Sequence, residues 1–273
     1  VFGRHDQQFS AQMEPLMAGA TGDDGKGYAE IALPVIDDPG RPLEALVAVR
    51  VAEGSGRPVE RRITAPVAPA APMIGVKTVF DGVAAEGTDA RFQLVGVGTD
   101  LKPAAMAVHW KLNRVQTDYQ WYQSYGNWSW EPVTYRTLVA EGDATLGDAP
   151  VEISGPVDWG NYELVVERTD GPLAETSTSF WAGWYAPVEA SATPDTLELS
   201  LDKAAYVPGE TATLRVVPRA AGTALVTVLS NRLVSMQAVE VKEGENTIPL
   251  PVTEDWGAGV YVTVSALRPM DVA

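Results

Sequence analysis

The sequence predicts an all-β protein built from tandem antiparallel β-sandwiches. One short phrase occurs three times: an Ile, two residues, Pro-Val, a short spacer, then Asp, one residue and Gly. Its copies begin at Ile31, Ile153 and Ile248, and a strand-like segment follows each copy. Recurrence at intervals near one small-domain length indicates an array of similar modules. Short alternating segments separated by turn residues, without long helical periodicity, favour sandwiches.

The first predicted module spans residues 1–68 and is expected to lack its opening strands. Its second strand alternates Leu46, Ala48 and Arg50 with three valines, and a Gly-containing turn follows. A proline-alanine segment at 65–72 then predicts a stiff linker. The elements in order are strands at 28–35 and 43–51, a turn at 53–56 and a strand at 58–64.

The second module is predicted over residues 73–189. Val108, Trp110 and Leu112 alternate with polar neighbours, which is the period-two pattern of a half-buried strand. After the phrase, the order strand, Gly-containing turn, strand repeats that of the first module. These elements are a strand at 162–167, a turn at 169–171 and a strand at 176–181.

The third module is predicted over residues 192–273 and is expected to lack its last strand. Leu197, Leu199 and Leu201 alternate with polar residues, and a Pro-Gly turn follows at 206–210. Further strands are predicted at 214–217, 224–229, 237–242 and 260–267.

The residue types of the repeated phrase have physical reasons. Proline cannot donate to a sheet ladder, so the phrase prolines are expected on edge strands or at strand ends. The Asp is suited to accept hydrogen bonds from turn N–H groups, and the Gly to adopt a positive φ. The prolines concerned are Pro34, Pro156, Pro249 and Pro251.

Two phrase copies also carry a tryptophan, Trp159 and Trp256, between Asp and Gly. We predict that each ring closes the end of its sandwich as an apolar plug, burying roughly 150–250 Å². The alternative is a ring that stacks on a ligand. Repetition at one position favours the structural interpretation.

Composition excludes several functions. The 273 residues are 45% hydrophobic, which predicts a soluble globular chain, and no apolar run reaches the length needed to span a bilayer. A net charge of −16 argues against nucleic-acid binding. The absence of cysteine excludes disulfides, thiolate zinc sites and a cysteine nucleophile. The opening residues do not form a signal peptide, so we expect a piece of a longer protein.

No catalytic, cofactor-binding or metal-binding residue is predicted. Of the two histidines, His5 and His109, the second lies on the polar face of a strand and is expected to be solvated. A Ser-His-Asp group assembled in space stays open, but no nucleophile, zinc, Walker or dinucleotide motif occurs. A pair of carboxylates that hydrolyses glycosides is defined by its separation in space, which the sequence does not give, so this class stays open.

Two acidic pairs, 23–24 and 37–38, are the candidates for calcium contact. They lack the regular ligand series of an EF-hand loop, and turn formation is the simpler explanation. We therefore predict no metal at Asp23, Asp24, Asp37 or Asp38.

An aromatic insertion enlarges the second module. The residues from Trp110 to Tyr135 include four of the chain's eight tryptophans, and the pattern at 124–127 predicts a hairpin tip. Two interpretations compete: the rings stack on sugars, or they pack against a neighbouring module. We favour packing, because exposed apolar patches usually mark an interface.

Several short motifs occur along the chain, around the aromatic insertion, at 180–184, at 54–61 and in the third module. The third-module motifs are Leu201-Asp202-Lys203, Tyr206, Pro208-Gly209-Glu210, Ala221-Gly222, Asp255-Trp256-Gly257 and Arg268-Pro269. In combination, these motifs resemble the bacterial α2-macroglobulin family. The resemblance covers nearly the whole chain and implies macroglobulin-like or fibronectin-III-like domains.

The resemblance implies a non-enzymatic, broad-spectrum protease trap of the periplasm. It implies a parent anchored at the inner membrane through a lipidated N-terminus outside this fragment, with proteases and a penicillin-binding peptidoglycan synthase as partners. The trap's thioester needs a cysteine, so it is expected outside residues 1–273, as is the bait segment. The implied role here is a scaffold without cofactors, without nucleic acid and without a membrane span. The alternatives are a carbohydrate- or peptidoglycan-binding array using the aromatic hairpin, an Ig-like stalk and, more distantly, a secreted hydrolase.

Overall fold

A computed structural model describes residues 1–7, 9–11, 13–31, 40–53, 56–124, 126–184 and 197–267. Strands dominate these residues, and one short 3-10 turn lies at Glu254–Trp256. The strands are β1 Leu43–Val51, β2 Val59–Val67, β3 Met73–Thr78, β4 Val83–Ala84, β5 Thr88–Val97, β6 Met106–Ser124, β7 Asn127–Leu146, β8 Val151–Val157, β9 Gly160–Arg168, β10 Glu175–Ala182, β11 Glu198–Leu201, β12 Thr211–Val217, β13 Gly222–Leu229, β14 Leu233–Val241, β15 Asn246–Pro251 and β16 Tyr261–Leu267.

The first stretch forms one antiparallel ribbon in its described part. Strands β1 and β2 pair in register from Leu43↔Val67 to Val51↔Val59, as the sequence predicts. The predicted strand at 28–35 is wrong over its described residues, 28–31, which are irregular. A strand needs a ladder partner, and Tyr28 is almost fully exposed. The other half of that strand, and Gly54 and Ser55 of the turn, lie outside the described residues.

The second stretch folds as a sandwich of two sheets. One sheet has the order β3-β5-β8 and the other β4-β10-β9-β6-β7, with antiparallel pairing except between β4 and β10. Alternation places Val108 and Leu112 in the core between the sheets, while Trp110 packs at its margin, as predicted. Phe80, Phe92 and Phe180 meet in edge and tilted contacts within this core.

The first residues of the chain dock on this second sandwich. The Val1 nitrogen donates to the Val76 carbonyl (2.6 Å), and Val76 N–H donates back (2.9 Å). Gly3 N–H donates to Thr176 Oγ1 of β10. The ring of Phe2 lies where a Cβ at Gly75 would stand, at 2.8 Å, so this approach requires glycine at position 75. The segment therefore bridges the two sheets of the sandwich.

The third stretch forms a smaller sandwich. Its sheets have the orders β11-β12-β15 and β14-β13-β16. A second core fills the space between them, and it shares no residue with the first. The predicted strands of this region are all present. The buried members of this second core are Ala212, Leu214, Val216, Ala224, Val226, Val228, Val241, Ile248, Leu250 and Val252.

The repeated phrase takes equivalent positions in both sandwiches. Its Ile and Val are buried: Ile153 and Val157 lie in β8, Ile248 lies within β15, and Val252 directly follows β15. Both β8 and β15 are edge strands, which confirms the prediction for Pro156, Pro249 and Pro251. Pro34 lies outside the described residues.

The phrase glycines have the predicted positive φ. The angles are 62° at Gly40, 145° at Gly160 and 55° at Gly257. The predicted role of the phrase Asp is different at Asp255, whose carboxylate pairs with Arg232 of the neighbouring hairpin. An exposed arginine within reach offers that carboxylate a charged partner in place of a turn N–H.

Candidate functional site

A serine, a histidine and a carboxylate do meet in the second sandwich. Ser177 Oγ lies 2.7 Å from His5 Nδ1, and His5 Nε2 lies 3.8 Å from Glu163 Oε1. Ser177 is only 2% exposed, so no substrate carbonyl reaches its hydroxyl. Glu163 is also bound by Arg136 (Nε to Oε2, 2.6 Å). The geometry holds the first residues on β9 and β10 and presents no accessible nucleophile.

His109 lies on the polar face of β6, as predicted, but with two acidic partners. Its Nδ1 is 2.8 Å from Asp143 Oδ1, and its Nε2 is 3.4 Å from Glu141 Oε2. Glu167 stands opposite it on β9. The hydrogen bond with Asp143, reinforced by Glu141, raises the pKa of His109. These contacts stabilise a sheet surface; within the described ranges, no group of three or more His, Cys, Asp or Glu side chains is arranged to hold a metal.

The acidic pair at 23–24 forms a turn. Asp24 Oδ1 accepts a hydrogen bond from Lys26 N–H (3.0 Å), and Gly22 N–H donates to the Lys26 carbonyl (2.8 Å). This is the turn interpretation that the sequence favours over calcium. Asp37 and Asp38 lie outside the described residues.

The motif at 201–210 forms a closed loop above the third core. Tyr206 Oη donates to Asp202 Oδ1 (2.7 Å), which also accepts from Thr213 N–H (2.6 Å). Burial, together with the hydrogen bond to Asp202, raises the pKa of Tyr206 to about 12. Trp256 meets the Tyr206 ring edge-on at 6.3 Å and packs on the core, as predicted for a plug.

The aromatic insertion projects from the second sandwich as a two-stranded arm. Strand β6 pairs with β9 only from Val108 to Val115, whereas its pairing with β7 continues to Ser124↔Asn127. The tip falls where predicted, with Gly126 at φ 84°. We call residues 116–135 the arm.

One face of the arm carries four aromatic rings. Cross-strand pairing puts Trp121 opposite Trp130 and Tyr119 next to them, and Tyr119 and Trp130 meet edge-on at 5.2 Å. At the base of the arm, Arg219 of the third sandwich lies over the Tyr119 ring, with Cζ 4.6 Å from the centroid. This contact supports the packing interpretation there. Towards the tip the rings are exposed, to 68% at Trp128.

A second arginine of the third sandwich reaches the second more deeply. Arg215 lies on the outward face of β12 and is nevertheless only 4% exposed. Its Nη1 and Nη2 donate to the two carboxylate oxygens of Glu86, at 2.6 and 3.0 Å. Its Cζ lies 4.0 Å from the centroid of Trp184 and 5.8 Å from that of Trp159. We call Arg215, Glu86, Trp159 and Trp184 the junction.

The electrostatics of the junction follow from this pairing. The hydrogen bonds from Arg215 hold the pKa of Glu86 below its ordinary value, against the opposing effect of burial. The same bonds to Glu86 raise the pKa of Arg215. Glu245 Oε1 lies 2.9 Å from Arg215 Nε, within ion-pair distance but without hydrogen-bond geometry. A bidentate, charge-assisted pair of this kind is among the stronger polar contacts in proteins.

Polar atoms without partners gather around the junction. Trp159 Nε1, Trp181 Nε1 and Ser200 Oγ are buried and have no hydrogen-bond partner within the described part of the chain. Trp159 packs edge-on against Trp181 at 5.2 Å and lies under Arg215, and unlike Trp256 it is not among the rings packed on the core of its own sandwich. Ser200 is the register partner of Arg215 on β11.

Sequence reasoning does not single out Arg215 or Glu86. Arg215 occupies an alternating strand where an outward arginine predicts exposure, and Glu86 is one acid among many in a turn. Their separation of 129 positions leaves no local signal. The one available hint is Trp184, a large apolar residue after the last strand of its sandwich.

Three family models match the chain in succession. Residues 1–69 match the bacterial α2-macroglobulin MG5 domain, 75–184 match bacterial macroglobulin domain 6, and 197–273 match the α2-macroglobulin bait region domain. The chain belongs to the bacterial α2-macroglobulin family. The three matches follow one another in the order in which the modules recur.

Curated relatives carry the same family name. An α2-macroglobulin of Xylella fastidiosa is 34% identical over 262 residues, covering 90% of this chain and 15% of the relative. That of Escherichia coli is 30% identical over 208 residues, covering 71% of this chain and 12% of the relative. The native conformation of E. coli α2-macroglobulin, solved by cryo-EM, is 27% identical with a TM-score of 0.49, covering 84% of this chain and 16% of that one.

This family membership corrects one expectation and leaves one alternative without support. The bait segment was expected outside residues 1–273, but 197–273 match the bait region domain. The described part of that stretch, 197–267, folds as strands with alternating residues, so it carries no low-complexity signal that would reveal a bait segment. The carbohydrate-binding alternative is not favoured. No helix among the described residues is long and apolar enough to cross a membrane.

Proposed function

We propose that this chain is a non-enzymatic scaffold within a periplasmic α2-macroglobulin-type protease trap. The observation that carries the proposal is the succession of MG5, domain 6 and bait region matches along the chain. The chain spans about 15% of the length of the curated relatives it matches, so trapping would be a property of the whole parent. Target proteases, and a penicillin-binding peptidoglycan synthase, are proposed partners of that parent.

The geometry supports a mechanical role. The two sandwiches have separate cores and meet through arginine side chains that lie over aromatic rings. Rigid units with a narrow contact can transmit a rearrangement without bond-making of their own. The residues that form the contact come from the domain 6 match and the bait region match.

The test is a protease-inhibition assay with the purified chain. We expect trypsin to keep its activity on casein and on a small peptide substrate at any molar ratio of chain to protease. The full-length parent serves as the control and should block only the large substrate. Stoichiometric loss of casein hydrolysis with the isolated chain would contradict the scaffold role. If trypsin also kept its full activity on casein in the presence of the full-length parent, that result would contradict the protease trap.

A further inference from the structure

The buried side chain of Arg215 needs an explanation, because charged residues are almost never fully buried unless they are paired. Its strand β12 is the central strand of the sheet β11-β12-β15, and its own core lies on the other face. The second sandwich covers the guanidinium of Arg215 through Glu86 and the ring of Trp184, while Glu245 of the third sandwich flanks its Nε. The burial of this guanidinium therefore reports the relative position of the two sandwiches.

The contact that achieves this burial is narrow. Glu86 lies in the turn between β4 and β5, outside the second core, and its side chain is 31% exposed. Bidentate pairing and stacking on Trp184 favour the closed arrangement. Desolvation of the guanidinium opposes it, because taking a charge out of water costs free energy that the pairing must compensate.

Removing Glu86 would shift this balance sharply. Without Glu86, the guanidinium of Arg215 keeps its desolvation cost and loses its bidentate partner, and the remaining carboxylate, Glu245, lacks hydrogen-bond geometry to it. Opening the junction would return Arg215 to water. An interface held together by apolar contacts would stay closed, because the loss of one carboxylate at its rim would leave the apolar surface buried.

We propose that Arg215 and Glu86 form a latch that holds the third sandwich against the second, and that loss of this pair frees the third sandwich to reorient. The latch is a property of this chain. Its use, to release the bait region domain from domain 6 during trapping, rests on the proposed function. Glu245 is the matched control, because it contacts the same arginine from within the third sandwich and is half exposed.

The experiment measures the distance between the sandwiches by double electron–electron resonance. The chain has no cysteine, so Asp148→Cys and Thr263→Cys place one spin label on each sandwich at exposed positions. We expect a narrow distance distribution in the labelled chain without further substitution and in the same chain with Glu245→Gln. In Glu86→Gln we expect a broad one, with the closed-to-open ratio lowered by about tenfold or more.

Folding is checked in each variant by circular dichroism. If Glu86→Gln does not fold, Arg215→Lys decides instead, because lysine keeps the charge but loses the bidentate and stacked geometry, and it should also broaden the distribution. A narrow distance distribution in the folded Glu86→Gln variant would overturn the latch proposal. A broad distribution in the labelled chain without further substitution would overturn it as well. No protease is present, so these outcomes are independent of the inhibition assay.

Discussion

The clearest test of the separate cores is a pair of buried leucines. Leu164 is 0% exposed at the centre of the second core, and Leu214 is 1% exposed in the third. Leucine-to-alanine changes at such sites cost about 2–5 kcal/mol, because transfer free energy is lost and a cavity is left. For a domain of this size, 1 kcal/mol corresponds to roughly 4 °C in melting temperature.

We therefore expect Leu164→Ala to lower the melting temperature of the second sandwich by roughly 8–20 °C. The third should be unaffected, and Leu214→Ala should give the reverse pattern, because the cores share no residue. Differential scanning calorimetry separates the transitions. Tryptophan fluorescence assigns them, since Trp256 is the one tryptophan in the third sandwich. A single transition, or equal shifts of both transitions in either variant, would refute the modular interpretation.

Two further predictions concern single residues, His109 and Gly257. The raised pKa of His109 means that its protonated form stabilises the fold below the ordinary histidine pKa, and that this contribution is lost as pH rises through the raised value. Urea unfolding at pH 6 and pH 9 should show a difference of under about 1 kcal/mol that His109→Gln abolishes; an unchanged difference would show that Asp143 and Glu141 are not its source. Gly257→Ala should destabilise the third sandwich by about 1–3 kcal/mol, because φ is 55° there although space is free. Gly259→Ala, with equally free space and no positive φ, is the control, and equal urea midpoints for the two would contradict the argument.

Much of the fold is predictable from local sequence. Period-two alternation places Val108 and Leu112 in the core, and phrase prolines mark edge strands β8 and β15. These predictions are confirmed because a pleat, a missing N–H and a positive φ are each decided within a few residues. The predicted strand over residues 28–31 is wrong for the complementary reason: a strand exists only where a distant segment pairs with it.

By itself, the sequence determined the class of the protein: an array of β modules, without cysteine chemistry and with the motifs of one family. Only the tertiary structure decided where Arg215 lies, and that the first residues dock on the second sandwich. Both depend on pairs separated by more than a hundred positions, at 129 for Arg215 and Glu86 and 173 for Gly3 and Thr176. Local periodicity tells which face of a strand a side chain occupies. What covers that face is decided by packing between units.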